Sequence, residues 1–101
     1  MKVMISQPMR GRSEEEIKNE RKRVTDKLES LGWEVVDTLF KESPEKNCNV
    51  PVYYLAKSID AISKVNAVLF MNGWEKARGC KIEHEICLQY GGVATLYEYE
   101  L

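Results

Sequence analysis

The chain has 101 residues, 44% hydrophobic and 31% charged, with a formal net charge of -1 and a pI near 5.9. That length suits one domain burying roughly 65% of its unfolded surface, and the mixed composition excludes a disordered or fibrous chain. The balanced charge supplies no broad positive field for a phosphate backbone, so no nucleic-acid polymer is expected as partner, and the lack of an apolar run near 18 residues leaves no membrane span to expect.

Lys2 to Ile5 reads as a first strand that ends at Ser6-Gln7-Pro8, where proline stops central pairing. Met9-Arg10-Gly11-Arg12 is a loop carrying two guanidinium groups. Ser13 and Glu16 make a capping box that opens a helix running to about Leu31, with Gly32 just past its end. Ile17, Val24, Leu28 and Leu31 keep helical spacing, and the Lys, Arg and Glu residues between them read as a solvated face. Trp33 to Val36 is a short second strand, parallel to the first across a βαβ unit. From Asp37 to Val50 the chain is polar and irregular, which suits a binding loop or lid, or a mobile connection.

Pro51 fits the first turn of a second helix whose predicted buried stripe is Val52, Leu55, Ile59 and Ile62. Ala67 to Met71 is a buried strand, Asn72-Gly73 is the turn that ends it, and a third helix follows from about Arg78 to Tyr90. Gly91-Gly92 closes that helix, Val93 to Leu96 is a last strand, and Tyr97 to Leu101 is a tail. The order predicts a single α/β domain over residues 1–101: a three-layer sandwich, Rossmann-like or flavodoxin-like, with about four mostly parallel strands and three main helices. Three cysteines and no signal peptide point to a reducing, cytoplasmic setting and free thiols.

In open α/β sheets, ligands bind where strand ends meet helix starts. Gly73, Trp74 and Gly79 belong to such a junction, and free N–H groups at the helix start favour an anion there. If Ile82 and Ile86 face the sheet, Glu83 stands about 100° round the helix from Ile82, on a half-desolvated flank. A carboxyl so placed has a raised pKa and serves as general base or nucleophile; alternatively it pairs with Lys76 or Lys81, or points into water. Arg10 and Arg12 either clamp a phosphate or carboxylate or are ordinary surface arginines. Cys80, His84 and Cys87 raise the question of zinc, with Cys48 as a fourth ligand, but their spacing is not that of a structural zinc site. Buried thiols beside a partly exposed histidine are the expected account, with no metal and no cofactor. Cys80 near a helix start is placed for a lowered pKa. Trp74 either stacks on a base or sugar or caps the sheet end as packing.

The frame from Met4-Ile5-Ser6-Gln7-Pro8 through Tyr54 and Ala67-Val68-Leu69-Phe70 to Gly73-Trp74-Glu75 and Gly79-Cys80-Lys81-Ile82-Glu83 resembles the small DUF4406 proteins of bacteria and phages. These are related to the nucleoside 2-deoxyribosyltransferases and the 2′-deoxynucleoside 5′-phosphate N-hydrolases. By that resemblance Glu83, in a G-x-x-x-E element, is the nucleophile that attacks C1′ of a deoxynucleoside, as in retaining glycoside cleavage. Pro8-Met9-Arg10-Gly11 is similar to the nucleotide-contacting loop of the N-hydrolases. The resemblance places Ser6, Gln7, Arg10 and Gly79 on the sugar-phosphate and Tyr54 or Trp74 against the base.

Two positions depart from the family pattern: Ser58 stands four residues after Tyr54 where an aspartate is usual, and Asn66 replaces the aspartate before the third strand. The expected partner is a small nucleoside or nucleotide bound by a homodimer or higher homo-oligomer. The expected function is N-glycosidic cleavage or deoxyribosyl transfer, and the alternative is a non-catalytic module that binds a nucleotide or nucleotide-derived signal.

Overall fold

The computed structural model describes residues 1–38 and 46–101. The expected lid reading of the long connection falls mainly on residues 39–45, outside the described residues. The elements are β1 (Lys2–Ser6), α1 (Glu14–Ser30), β2 (Glu34–Val36), α2 (Val50–Ile62), β3 (Ala67–Phe70), a 3-10 turn (Trp74–Lys76), α3 (Arg78–Tyr90), β4 (Ala94–Tyr97) and a second 3-10 turn (Glu98–Glu100). The four strands form one sheet in the order β2-β1-β3-β4, and every pairing is parallel. Strand β2 therefore starts one residue later than expected, and β4 takes in Tyr97 from the expected tail.

Alternation along the two central strands builds the layers, because successive side chains leave opposite faces of a sheet. Val3, Ile5, Ala67 and Leu69 meet Val24 and Leu28 of α1 on one face. Met4, Val68 and Phe70 meet Ile62 of α2 and Cys87 of α3 on the other. The result is the expected three-layer α/β sandwich. Among the described residues no helix is long and apolar enough to cross a membrane.

The helix starts follow their sequence signals. Ser13 caps α1, its Oγ accepting from the Glu16 N–H at 3.1 Å. Asn49 Oδ1 accepts from the Val52 N–H at 3.2 Å at the start of α2, and Pro51 falls in that first turn. Gly32, just past α1, has φ 93°, a conformation that costs glycine little.

The helix faces differ from the periodicity reading in three places. On α3 the buried positions are Cys80, Glu83 and Cys87, whereas Ile82 is 39% exposed and Tyr90 86% exposed. Both sets keep helical spacing, so period alone does not choose between them. The small thiols let α3 sit close against Ser6 and Phe70 with Glu83 turned inward. On α2, Ile62 is buried, but Val52 and Ile59 are exposed. On α1 the buried residues are Arg21, Val24 and Leu28, and Leu31 is exposed. One arginine assigned to the solvated face thus lies inside.

Asn66 also has a structural account. Its Oδ1 accepts from the Lys2 N–H and its own N–H donates to Lys2 O, both at 2.8 Å. Its carbonyl accepts from the Ala94 N–H at 3.0 Å. It ties β1, β3 and β4 together at the N-terminal end of the sheet, opposite the edge where Ser6 and Phe70 finish their strands.

Candidate functional site

The C-terminal ends of β1 and β3 and the first turns of α3 enclose a buried carboxyl. Glu83 is only 8% exposed, and Ser6, at the end of β1, is 2% exposed. Residue parity places Ser6 on the Met4 face of the sheet, which α3 covers. The Ser6 hydroxyl faces both Glu83 and the Cys80 thiol and pulls the pKa of each down. Even so, neither Ser6 Oγ nor Glu83 Oε2 closes a hydrogen bond among the described residues. Buried polar atoms left without partners, here with Trp74 Nε1 as a third, are costly in a packed interior. They are the natural partners of a polar ligand.

Burial pushes the Glu83 carboxyl up to about 7, with Ser6 and the charge of Arg21 opposing the rise. The group is then divided between its two forms near neutral pH, which suits proton transfer or nucleophilic attack. The alternative pairings with Lys76 or Lys81 are not made. The Cys80 thiol is pushed up to about 11, chiefly by burial, and burial raises Cys87 as well. The lowered pKa expected for Cys80 at a helix start does not occur, because burial outweighs the helix end. A protonated thiol is a poor nucleophile.

On the other side of the β1 end lies a second polar cluster. Gln7 points to the α1 face, where its Nε2 donates to Ile17 O at 2.9 Å and its Oε1 accepts from Arg21 Nη1 at 3.0 Å. Arg21 Nη2 donates to Thr38 Oγ1 at 2.6 Å, and Thr38 in turn donates to Ile5 O at 3.4 Å. Sequence reasoning missed Arg21 and Thr38. The signal was available: Arg21 falls four residues after Ile17 and three before Val24, within the apolar stripe of α1.

The remaining expected site residues are distributed around this centre. Pro8 approaches Gly73, whose Cβ position lies 3.7 Å from Pro8 Cγ, and Gly73 takes φ 93° to make the turn after β3. Gly79 opens the first turn of α3, and a Cβ there would meet nothing within 4 Å. Met9, Arg10 and Gly11 are exposed on the loop after β1, while Arg12 is ion-paired with Glu20 of α1. Tyr54 and Ser58 are half-buried on α2, and Tyr54 meets Tyr53 edge-to-face at 5.3 Å between centroids. The neighbouring acid on α2, Asp60, is exposed and paired with Lys64 at 3.0 Å.

Trp74 belongs to an aromatic cluster. Its ring stacks on His84 at 4.1 Å and tilts against Phe70 and Tyr97, while His84 Nε2 and Tyr97 Oη share a hydrogen bond of 2.7 Å. The aromatic cluster walls the site on the β4 side. Among the described residues no group of three or more His, Cys, Asp or Glu gathers to hold a metal ion.

With this geometry in place, comparison with known families gives one match. The model of the family described as "Domain of unknown function (DUF4406)" matches residues 1–95, so the chain belongs to that family. No curated protein and no solved structure matches.

Proposed function

Starting from that family membership and the inward-facing carboxyl, we propose that the protein cleaves or transfers the N-glycosidic bond of a deoxynucleoside or its 5′-monophosphate, with Glu83 as nucleophile. The observation that carries this reading is a buried glutamate at the sheet's C-terminal edge, with an oxygen lacking a hydrogen-bond partner and a pKa of about 7. A Glu83 carboxylate oxygen forms a bond to C1′ as the C1′–N bond breaks, and the electron pair leaves with the base. Water or a second base then displaces the carboxylate from C1′, as in retaining glycosidases. The resemblance to the deoxyribosyltransferases and N-hydrolases supplies the substrate class. Exposed Arg10 and the open space over Gly79 suit the sugar-phosphate.

One observation favours a second reading, a non-catalytic module binding a nucleotide or nucleotide-derived signal. Ser58 stands where a leaving-group acid is usual, and Asp60 is committed to Lys64. Departure of the base then takes its proton from water or depends on a base that leaves readily.

Incubation with a panel of nucleosides and monophosphates, followed by chromatography for free base, separates the readings. Release by the wild type and none by Glu83→Ala is the expected result. Thermal shifts without release support the binding module and overturn the enzyme; no shift with any nucleotide removes both.

The same reading carries a homodimer. Val52, Ile59, Ile82 and Tyr90 leave apolar surface on the outer sides of α2 and α3, where a second copy would cover it. Sedimentation of the wild type as a dimer is the expected outcome, and a monomer overturns this part.

A further inference from the structure

We infer that Arg21 is a positioning residue for Glu83, a guanidinium locked across the ends of β1 and β2 by Gln7 and Thr38, on the opposite side of the Ser6–Gln7 backbone from the carboxyl. The inference rests on the reading of Glu83 as the working group, but its test does not require turnover. Three observations carry it.

The first is location. Arg21 is 7% exposed and occupies a position in the α1 stripe between Ile17 and Val24, where an aliphatic side chain would pack without desolvating a charge. Replacing a buried ion by a hydrophobe is often neutral or stabilising, so burial in the stripe does not by itself call for an arginine here. The second is anchoring. Gln7 Oε1 and Thr38 Oγ1 accept from separate Nη atoms at 3.0 and 2.6 Å, and both acceptors are themselves fixed, Gln7 by Ile17 O and Thr38 by Ile5 O. A planar guanidinium held at two points has little freedom left. These two anchors are neutral, so they fix its direction and leave its charge to Asp37 and Glu83, in that order.

The third is the juxtaposition at the strand end. Consecutive residues of β1 leave opposite faces, so Ser6 meets Glu83 under α3 while Gln7 meets Arg21 under α1. Ser6 from β1 and Cys80 and Cys87 from α3 are the other groups coupled to Glu83, and none of them brings a positive charge. Arg21 is the cation that acts on Glu83, and Asp37, just beyond β2, is the stronger of the two anions acting on Arg21, with Glu83 the weaker. A buried carboxyl with no cation would stay protonated, and a protonated carboxyl does not attack carbon. Arg21 keeps a usable fraction ionised without occupying the lone pairs that substrate requires.

The test follows the Glu83 carboxyl by carbon NMR in glutamate-labelled protein, with Glu83→Gln identifying the resonance. Wild type is expected to titrate near 7. Arg21→Met is expected to raise that midpoint by about half a pH unit or more, with Arg21→Lys restoring part of it because charge is kept while the two-point grip is lost. Thr38→Val, which frees one anchor, covers the case where Arg21→Met does not fold and is expected to raise the midpoint by less. An unchanged midpoint in the folded variants overturns the inference. If base release is never seen yet the midpoint moves, the positioning role stands and the enzymatic reading falls; if base is released and the midpoint stays, the reverse holds.

Discussion

Glu83 sets a pH dependence on the whole protein, and its sign follows from the direction of its shift. A carboxyl standing at about 7 in the fold against 4.5 unperturbed binds more protons folded than unfolded between those values. Stability from this group is therefore full below 4.5 and is lost as pH rises through 7. The cost of carrying the ionised form in the fold is on the order of 3 kcal/mol. Glu83→Gln removes that cost while keeping shape. Its melting temperature is expected to be close to wild type at acidic pH and clearly higher well above 7. A difference from wild type that stays constant across pH would show that Glu83 ionises freely, and the site would lose its central property. A stabilising Glu83→Gln would be the usual mark of a residue retained for work rather than for folding.

At the scale of elements, the strands, caps and turns were legible because each is decided locally. A short β-branched run, a serine three residues before a glutamate, and a proline just inside a helix start specify their structures with little help from the rest of the chain. Helix orientation was not legible in the same way. On α3 two stripes with helical spacing compete, Ile82-Ile86-Tyr90 and Cys80-Glu83-Cys87, and hydrophobicity favours the one that stays partly outside. Hydrophobic period counts apolar residues, but here the winning face carries an acid whose burial is unfavourable taken alone. The same holds for Arg21 on α1, where a charge occupies a stripe position. Both errors fall on residues facing the end of β1, where local preference and the global fold disagree, as expected at a working site. The candidate site was therefore half legible: Glu83 by family pattern, and its counter-charge Arg21 only by structure. Asn66, a departure from the family pattern whose consequence the sequence left open, ties strands together at the other end of the sheet.

At the scale of the molecule, the C-terminal segment ties the layers together. Glu98, just after β4, accepts from the Asn72 N–H through Oε1 and from Arg23 of α1 through Oε2, both at 2.8 Å. One side chain thus joins the turn after β3, the α1 layer and the last strand. The two bonds are unequal. Arg23 is largely exposed, so its ion pair contributes less than about 1 kcal/mol, whereas a charged acceptor on a backbone amide is worth about 1.5–3 kcal/mol. The amide bond also holds the Asn72-Gly73 turn, from which the chain enters Trp74 and the aromatic wall. Glu98→Ala should therefore lower unfolding free energy by about 1.5–3 kcal/mol and speed hydrogen exchange at the Asn72 amide. Glu98→Gln, which keeps an acceptor for that amide but abolishes the ion pair, should cost much less and leave exchange slow. Equal losses in urea denaturation for the two variants would assign the effect to Arg23 instead. The Asn72 turn would then hold its shape without Glu98, and the wall beside Glu83 would be independent of the residues after Tyr97.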